Sequence, residues 1–81
     1  MVITLSNLPP HISEDDIRNL LNGDSRVRNI RFSNAGNPDK VMAFVEMDIS
    51  RLEAQFLSRK LHQTYVENRR IEAYTPRFFQ R

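Results

Sequence analysis

Apolar and polar residues alternate along Val2–Ser6 (VITLS), a spacing that predicts a strand with one buried face. The same period returns at Val27–Ser33, where Ile30 and Phe32 are expected to face a core and Asn29, Arg31 and Ser33 the opposite side. It returns again at Lys40–Met47 (KVMAFVEM). There Val41, Ala43, Val45 and Met47 form an apolar set, while Lys40, Met42, Phe44 and Glu46 form a mixed one. A last alternating run, Arg70–Tyr74, points Ile71 and Ala73 inward and Arg70, Glu72 and Tyr74 outward, on the side of Phe44.

Between these runs the period changes to that of a helix. Ile17, Leu20 and Leu21 make one apolar stripe, and Ala54, Leu57 and Leu61 make a second. Each helix has a start signal: Ser13 with Asp16, and Ser50 with Glu53, stand at capping-box spacing. Glu14 and Asp15 suit the positive first turn of the first helix, and Ile12 and Ile17 sit where a hydrophobic staple would close it. Asn22-Gly23 supplies its stop. Pro9 and Pro10 end the first strand, NAGNPD (Asn34–Asp39) reads as a polar loop, and HQTYVEN (His62–Asn68) reads as a turn-rich connection. Leu52 and Phe56 fall off the second stripe; either they broaden the core face or they form a small partner-binding patch.

The order is β-α-β-β-α-β. It predicts an α+β, ferredoxin-like sandwich: a four-stranded antiparallel sheet with two helices on one face. Both helices are spent on one sheet face, so the face carrying Phe44 stays open unless the chain's own end folds over it. We expect one domain over 1–75 and a tail over 76–81, with Phe78 and Phe79 as the residues that would cover Phe44 and Met42.

Composition changes this picture in three respects. The chain has no cysteine, which removes disulfides and thiolate metal sites. It has no apolar run long enough to cross a bilayer and no signal-peptide pattern, so we expect an intracellular, nuclear or cytoplasmic, monomer away from membranes. Ten of its twelve basic residues are arginines, whose forked donors suit phosphate, although ten acidic residues hold the net charge to +2. Enzyme chemistry finds no support. His11 and His62 lie far apart in the chain with no metal-ligand spacing, and Glu14-Asp15-Asp16 is explained by the helix dipole. With Gly23 and Gly36 as the two glycines, no phosphate loop or dinucleotide site is credible, so no cofactor or metal is expected.

Two segments resemble the signature of the RNA recognition motif (RRM) family. ITLSNL (Ile3–Leu8) is similar to the hexamer on that family's first strand, and KVMAFVEM to the octamer on its third. The resemblance runs from Val2 to about Tyr74 and implies the sandwich above, with single-stranded RNA as partner. In the family three aromatics on the open sheet stack on bases. Here the positions hold Thr4, Met42 and Phe44, so one platform is kept; Val41 replaces the octamer glycine and Met47 its last aromatic. At about 1–3 kcal/mol per stacked base, two missing platforms cost about 2–6 kcal/mol. The quasi-RRM domains of heterogeneous nuclear ribonucleoproteins F and H also lack most sheet aromatics and grip RNA through loops. Their Gly-Leu-Pro opening and Met-Gly-x-Arg-Tyr-Ile-Glu strand are similar to NLPP and to VENRRIE, in which Arg69, Ile71 and Glu72 match while Glu67 and Arg70 replace the Gly and the Tyr.

The candidate RNA surface is therefore Phe44 with Met42, Thr4, Lys40, Asn29, Arg31, Tyr74 and Arg70. Phe44 would stack a base, Met42 would pack on a sugar or a second base, and Asn29 and Arg31 would reach base edges or phosphates. Arg31 has an alternative, a cross-strand ion pair with Glu46 or Glu72. The loop alternative uses Pro9, Pro10, His11, Asn34, Asn37 and Arg69. A protein-binding module with little RNA affinity, centred on Leu52 and Phe56, is the competing function.

Overall fold

The structure, a computed structural model, describes residues 1–34 and 39–75. Eight elements follow in chain order: β1 (Val2–Leu8), α1 (Glu14–Leu20), β2 (Val27–Ser33), β3 (Val41–Met47), α2 (Arg51–Leu61), β4 (Tyr65–Val66), β5 (Arg69–Arg70) and β6 (Glu72–Tyr74). The main sheet has the antiparallel order β2-β3-β1-β6, with the short β4-β5 hairpin beside it. This is the two-helix, four-stranded sandwich that the alternation predicts.

Both helices begin with complete capping boxes. The Ser13 hydroxyl accepts from the Asp16 N–H and the Asp16 carboxylate from the Ser13 N–H, at 3.1 and 3.0 Å. Ser50 and Glu53 repeat the exchange at 3.1 and 2.9 Å. Two otherwise unpaired N–H groups are thus satisfied at each start. α1 stops where Asn22 and Gly23 take positive φ, which lets the Gly23 N–H return to the Arg18 carbonyl at 2.8 Å.

The core lies between the helices and one sheet face. Ile3, Leu5, Val45, Met47, Ile17, Ala54 and Ile71 are all essentially inaccessible. The apolar half of the Lys40–Met47 run is buried throughout, which fixes the register: a slip of one residue would turn the whole set into solvent. Ser58 takes a buried place on α2 where the predicted stripe has Leu57; its hydroxyl donates to the Ala54 carbonyl at 2.6 Å, and Leu57 packs half-buried at the margin.

Four expectations need correction. Phe32 lies opposite Ala43, on the helix side, yet is 40% exposed, because β2 is an edge strand and one flank of the ring meets solvent beside Pro10 and Ile12. Leu52 and Phe56 do not widen the core; each is 60% exposed. Lys40 precedes β3 as an exposed bend residue rather than opening the strand. The Arg70–Tyr74 run is not one strand. Arg70 pairs with Tyr65 in the hairpin, Ile71 is buried at the break, and only Glu72–Tyr74 pairs with β1. The hairpin turn, Glu67-Asn68, has φ of 51° and 68°, as a two-residue turn of the I′ kind requires.

Candidate nucleic-acid interface

Register builds the open face row by row. Phe44 on β3 lies opposite Arg31 on β2 and Thr4 on β1, and Thr4 lies opposite Tyr74 on β6. Arg31, Phe44, Thr4 and Tyr74 therefore form one line across all four strands. On one side of it Asn29, Glu46 and Val2 are aligned; on the other Ser33 faces Met42, and Ser6 faces Glu72. Phe44, Met42 and Thr4 are half-buried by their neighbours, with their outer surfaces in solvent; Arg31, Asn29 and Tyr74 are exposed. With strands about 4.8 Å apart, Phe44 and Tyr74 stand roughly 10 Å from each other and cannot serve the same base.

Tyr74 is held in place. Its hydroxyl donates to Glu72 Oε1 at 2.6 Å, the Ser6 hydroxyl donates to the same oxygen at 3.4 Å, and the His62 ring leans on it at 5.9 Å and 56°. The Tyr74 hydrogen bond is the main reason that the Glu72 carboxyl titrates below its ordinary range, with Ser6, His62 and Lys40 adding to it. The same bond raises the Tyr74 phenol. Glu72 thus stays ionised on the face and spends its charge locally.

The basic residues divide into two groups. Arg18 pairs with Glu14, Arg28 with Asp48, and Arg26 with Asp24 and Glu53. The Arg26 contact holds the Asp24 carboxyl down at about 2. Among the described residues, the side chains of Arg31, Lys40, Arg59, Lys60 and Arg70 have no hydrogen-bond or ion-pair partner. The expected alternative for Arg31, an ion pair with Glu46 or Glu72, is absent because the register sets Phe44 opposite it and gives Glu46 to Asn29.

The loop candidates lie at one end of the sheet and are largely engaged. The Arg69 guanidinium donates to the Asp39 carbonyl and, at 3.4 Å, to the Leu8 carbonyl, tying β1, the loop before β3 and the hairpin together. His11 Nε2 lies 2.7 Å from Glu67 Oε1 at the hairpin turn. Asn34 is exposed, whereas Asn37, Phe78 and Phe79 fall outside the described residues. Leu52 and Phe56 occupy the solvent side of α2, across the domain from the open face. Two features escaped the sequence pattern. Asn7, with φ of 64°, makes the bulge that bends β1 between Leu5 and Leu8 and donates from its side chain to the Arg70 carbonyl at 2.9 Å. His62 contacts Tyr74, a pairing that only the return of the chain from α2 to β6 creates.

The RNA recognition motif family model matches residues 3–72. Among solved structures, the Pes4 RRM3 structure superposes with a TM-score of 0.80 at 20% identity, covering 99% of this chain and 95% of that one. The Rna15 RRM with bound RNA (GU) gives 0.71 at 18% identity, covering 93% and 81%. Sex-lethal RNA recognition domains 1 and 2 from Drosophila melanogaster give 0.72 at 18% identity, covering 94% of this chain and 49% of that one. At these identities the likenesses show the fold. No curated protein matches the sequence.

Proposed function

The chain belongs to the RNA recognition motif family, and from that premise we propose that it binds single-stranded RNA across its open sheet face. The observation that carries the reading is the line Arg31–Phe44–Thr4–Tyr74, which sets two aromatic rings and an unpaired guanidinium in one row on a face that no helix covers among the described residues. Phe44 stacks one base and Tyr74 a second, about 10 Å away. Met42 packs on the sugar or base beside Phe44. Arg31 forks onto a phosphate or base edge, Asn29 hydrogen-bonds a base edge, and Lys40 and Arg70 supply phosphate contacts at the margin. Thr4, small and set between the two rings, leaves a gap where relatives with a full signature carry a third platform, so affinity is modest. Arg69 and His11 serve the fold's loop end rather than the RNA, which argues against the loop-only mode.

The family is one of non-enzymatic RNA-binding domains, and the role inferred here is binding without chemistry, as a monomer, in the nucleus or cytoplasm. The test is fluorescence polarisation with random single-stranded RNA over a salt series. Binding should fall with salt on a log–log slope of about −0.7 per phosphate neutralised, for about two or three phosphates. Absence of binding at low salt, or binding indifferent to salt, overturns the reading.

A further inference from the structure

The aromatic line does not stop at the sheet edge. Beyond Tyr74 an open groove of about 310 Å³ runs between the end of α2 and the outer edge of β6, lined by Ser58, Arg59, His62, Ala73, Tyr74 and Thr75. Its floor is settled: the Ser58 hydroxyl is buried on the Ala54 carbonyl. Its wall is oriented. The Ala73 N–H, on the edge of β6 away from β1, donates to His62 Nδ1 at 3.1 Å. Nδ1 is thus an acceptor, so the ring carries its proton on Nε2, and that donor has no partner among the described residues. Arg59 lines the same groove, and its guanidinium has no hydrogen-bond or ion-pair partner among the described residues. Two of the residues that line the groove thus carry donors of a kind that anions take, beside a tilted His–Tyr ring pair.

We infer that this groove is an additional nucleotide subsite, which receives the phosphate of the nucleotide that lies beyond the base on Tyr74, off the β6 edge of the sheet. Arg59 and His62 Nε2–H hold the phosphate, and the His62 ring, locked by the Ala73 hydrogen bond, supplies a lateral wall for the sugar. The inference rests on the sheet-face reading, because the strand must first arrive at Tyr74. It predicts that one end of the bound strand continues past β6 toward α2. The exposed apolar pair Leu52 and Phe56 takes no part.

The experiment compares two random single-stranded RNA pools. One is about three nucleotides long, matched to the two or three bases a sheet of this type stacks, and the other about six. The wild-type protein, Arg59→Ala and His62→Ala are titrated with each. Extra registers on the longer pool raise apparent affinity equally in all three proteins, so the ratio of long to short affinity is the readout. We expect Arg59→Ala and His62→Ala each to lower that ratio about 3- to 10-fold, with the short-pool affinity of Arg59→Ala within about twofold of wild type and that of His62→Ala lower, because its ring also supports Tyr74. Arg59 is exposed on α2, so its substitution leaves the fold intact even if loss of His62 disturbs β6. An unchanged ratio in Arg59→Ala overturns the subsite while leaving the sheet-face reading standing. Failure of both pools to bind wild type overturns both.

Discussion

Phe44→Ala and Tyr74→Ala, alone and together, give a quantitative prediction. A base stacked on an aromatic contributes about 1–3 kcal/mol, so each single change should weaken RNA binding about 5- to 150-fold. The two rings lie two strands apart, roughly 10 Å, with Thr4 between them. At that separation the losses should add to within about 0.5 kcal/mol. The double variant should therefore lose about 2–6 kcal/mol. Folding should survive. Phe44 is half-buried, so its truncation costs about 1 kcal/mol of apolar burial. Tyr74, 48% exposed, gives up a similar amount with its Glu72 hydrogen bond. Both costs fit within the about 4–12 kcal/mol expected of a domain this size. Polarisation with the random RNA pool measures binding, and circular dichroism with a urea melt checks the fold. A folded Phe44→Ala protein with unchanged affinity refutes stacking at Phe44. Coupling well above 0.5 kcal/mol refutes the assignment of separate bases to the two rings.

Other outcomes follow from the same geometry. Thr4→Tyr restores a platform in the gap and should raise affinity about 5- to 50-fold in the same polarisation assay. Glu72→Gln removes the carboxylate that raises the Tyr74 phenol, so ultraviolet titration should show that phenol ionising at lower pH than in wild type. The sign for Glu72 itself is the reverse: its folded carboxyl is depressed, so its contribution to stability is present at neutral pH and is lost as pH falls through the carboxylate range. Arg69→Gln frees two backbone carbonyls and should lower urea stability by about 1–3 kcal/mol while RNA affinity of the folded protein holds. Ile71→Ala, at a fully buried break between hairpin and sheet, should cost about 2–5 kcal/mol in the same melt.

The alternation at Val2–Ser6 and Lys40–Met47 and the two Ser-x-x-acid caps made the sandwich legible, because period and capping are local properties that tertiary contact here reinforces. The open face followed by elimination, since two short helices cover one side of a sheet. What escaped depends on contacts distant in sequence. Phe32 fits the inward period but stands on an edge strand, and periodicity carries no information on strand order. The I′ turn at Glu67-Asn68 has no glycine to mark it, so the hairpin and the displacement of Arg70 from the open face were invisible. Arg69 and His11 looked like free loop donors because their partners, the Leu8 and Asp39 carbonyls and Glu67, are brought in by the fold. The row that unites Arg31, Phe44, Thr4 and Tyr74 needed the register of three strand pairs, which no single segment encodes.

The most direct measurement is an amide-resolved NMR titration of the whole chain with short random single-stranded RNA, at low and then moderate salt. The account predicts salt-sensitive shifts centred on Thr4, Arg31, Met42, Phe44 and Tyr74, spreading to His62. Shifts confined to His11, Asn34 and Arg69, or no shifts at all, would contradict it.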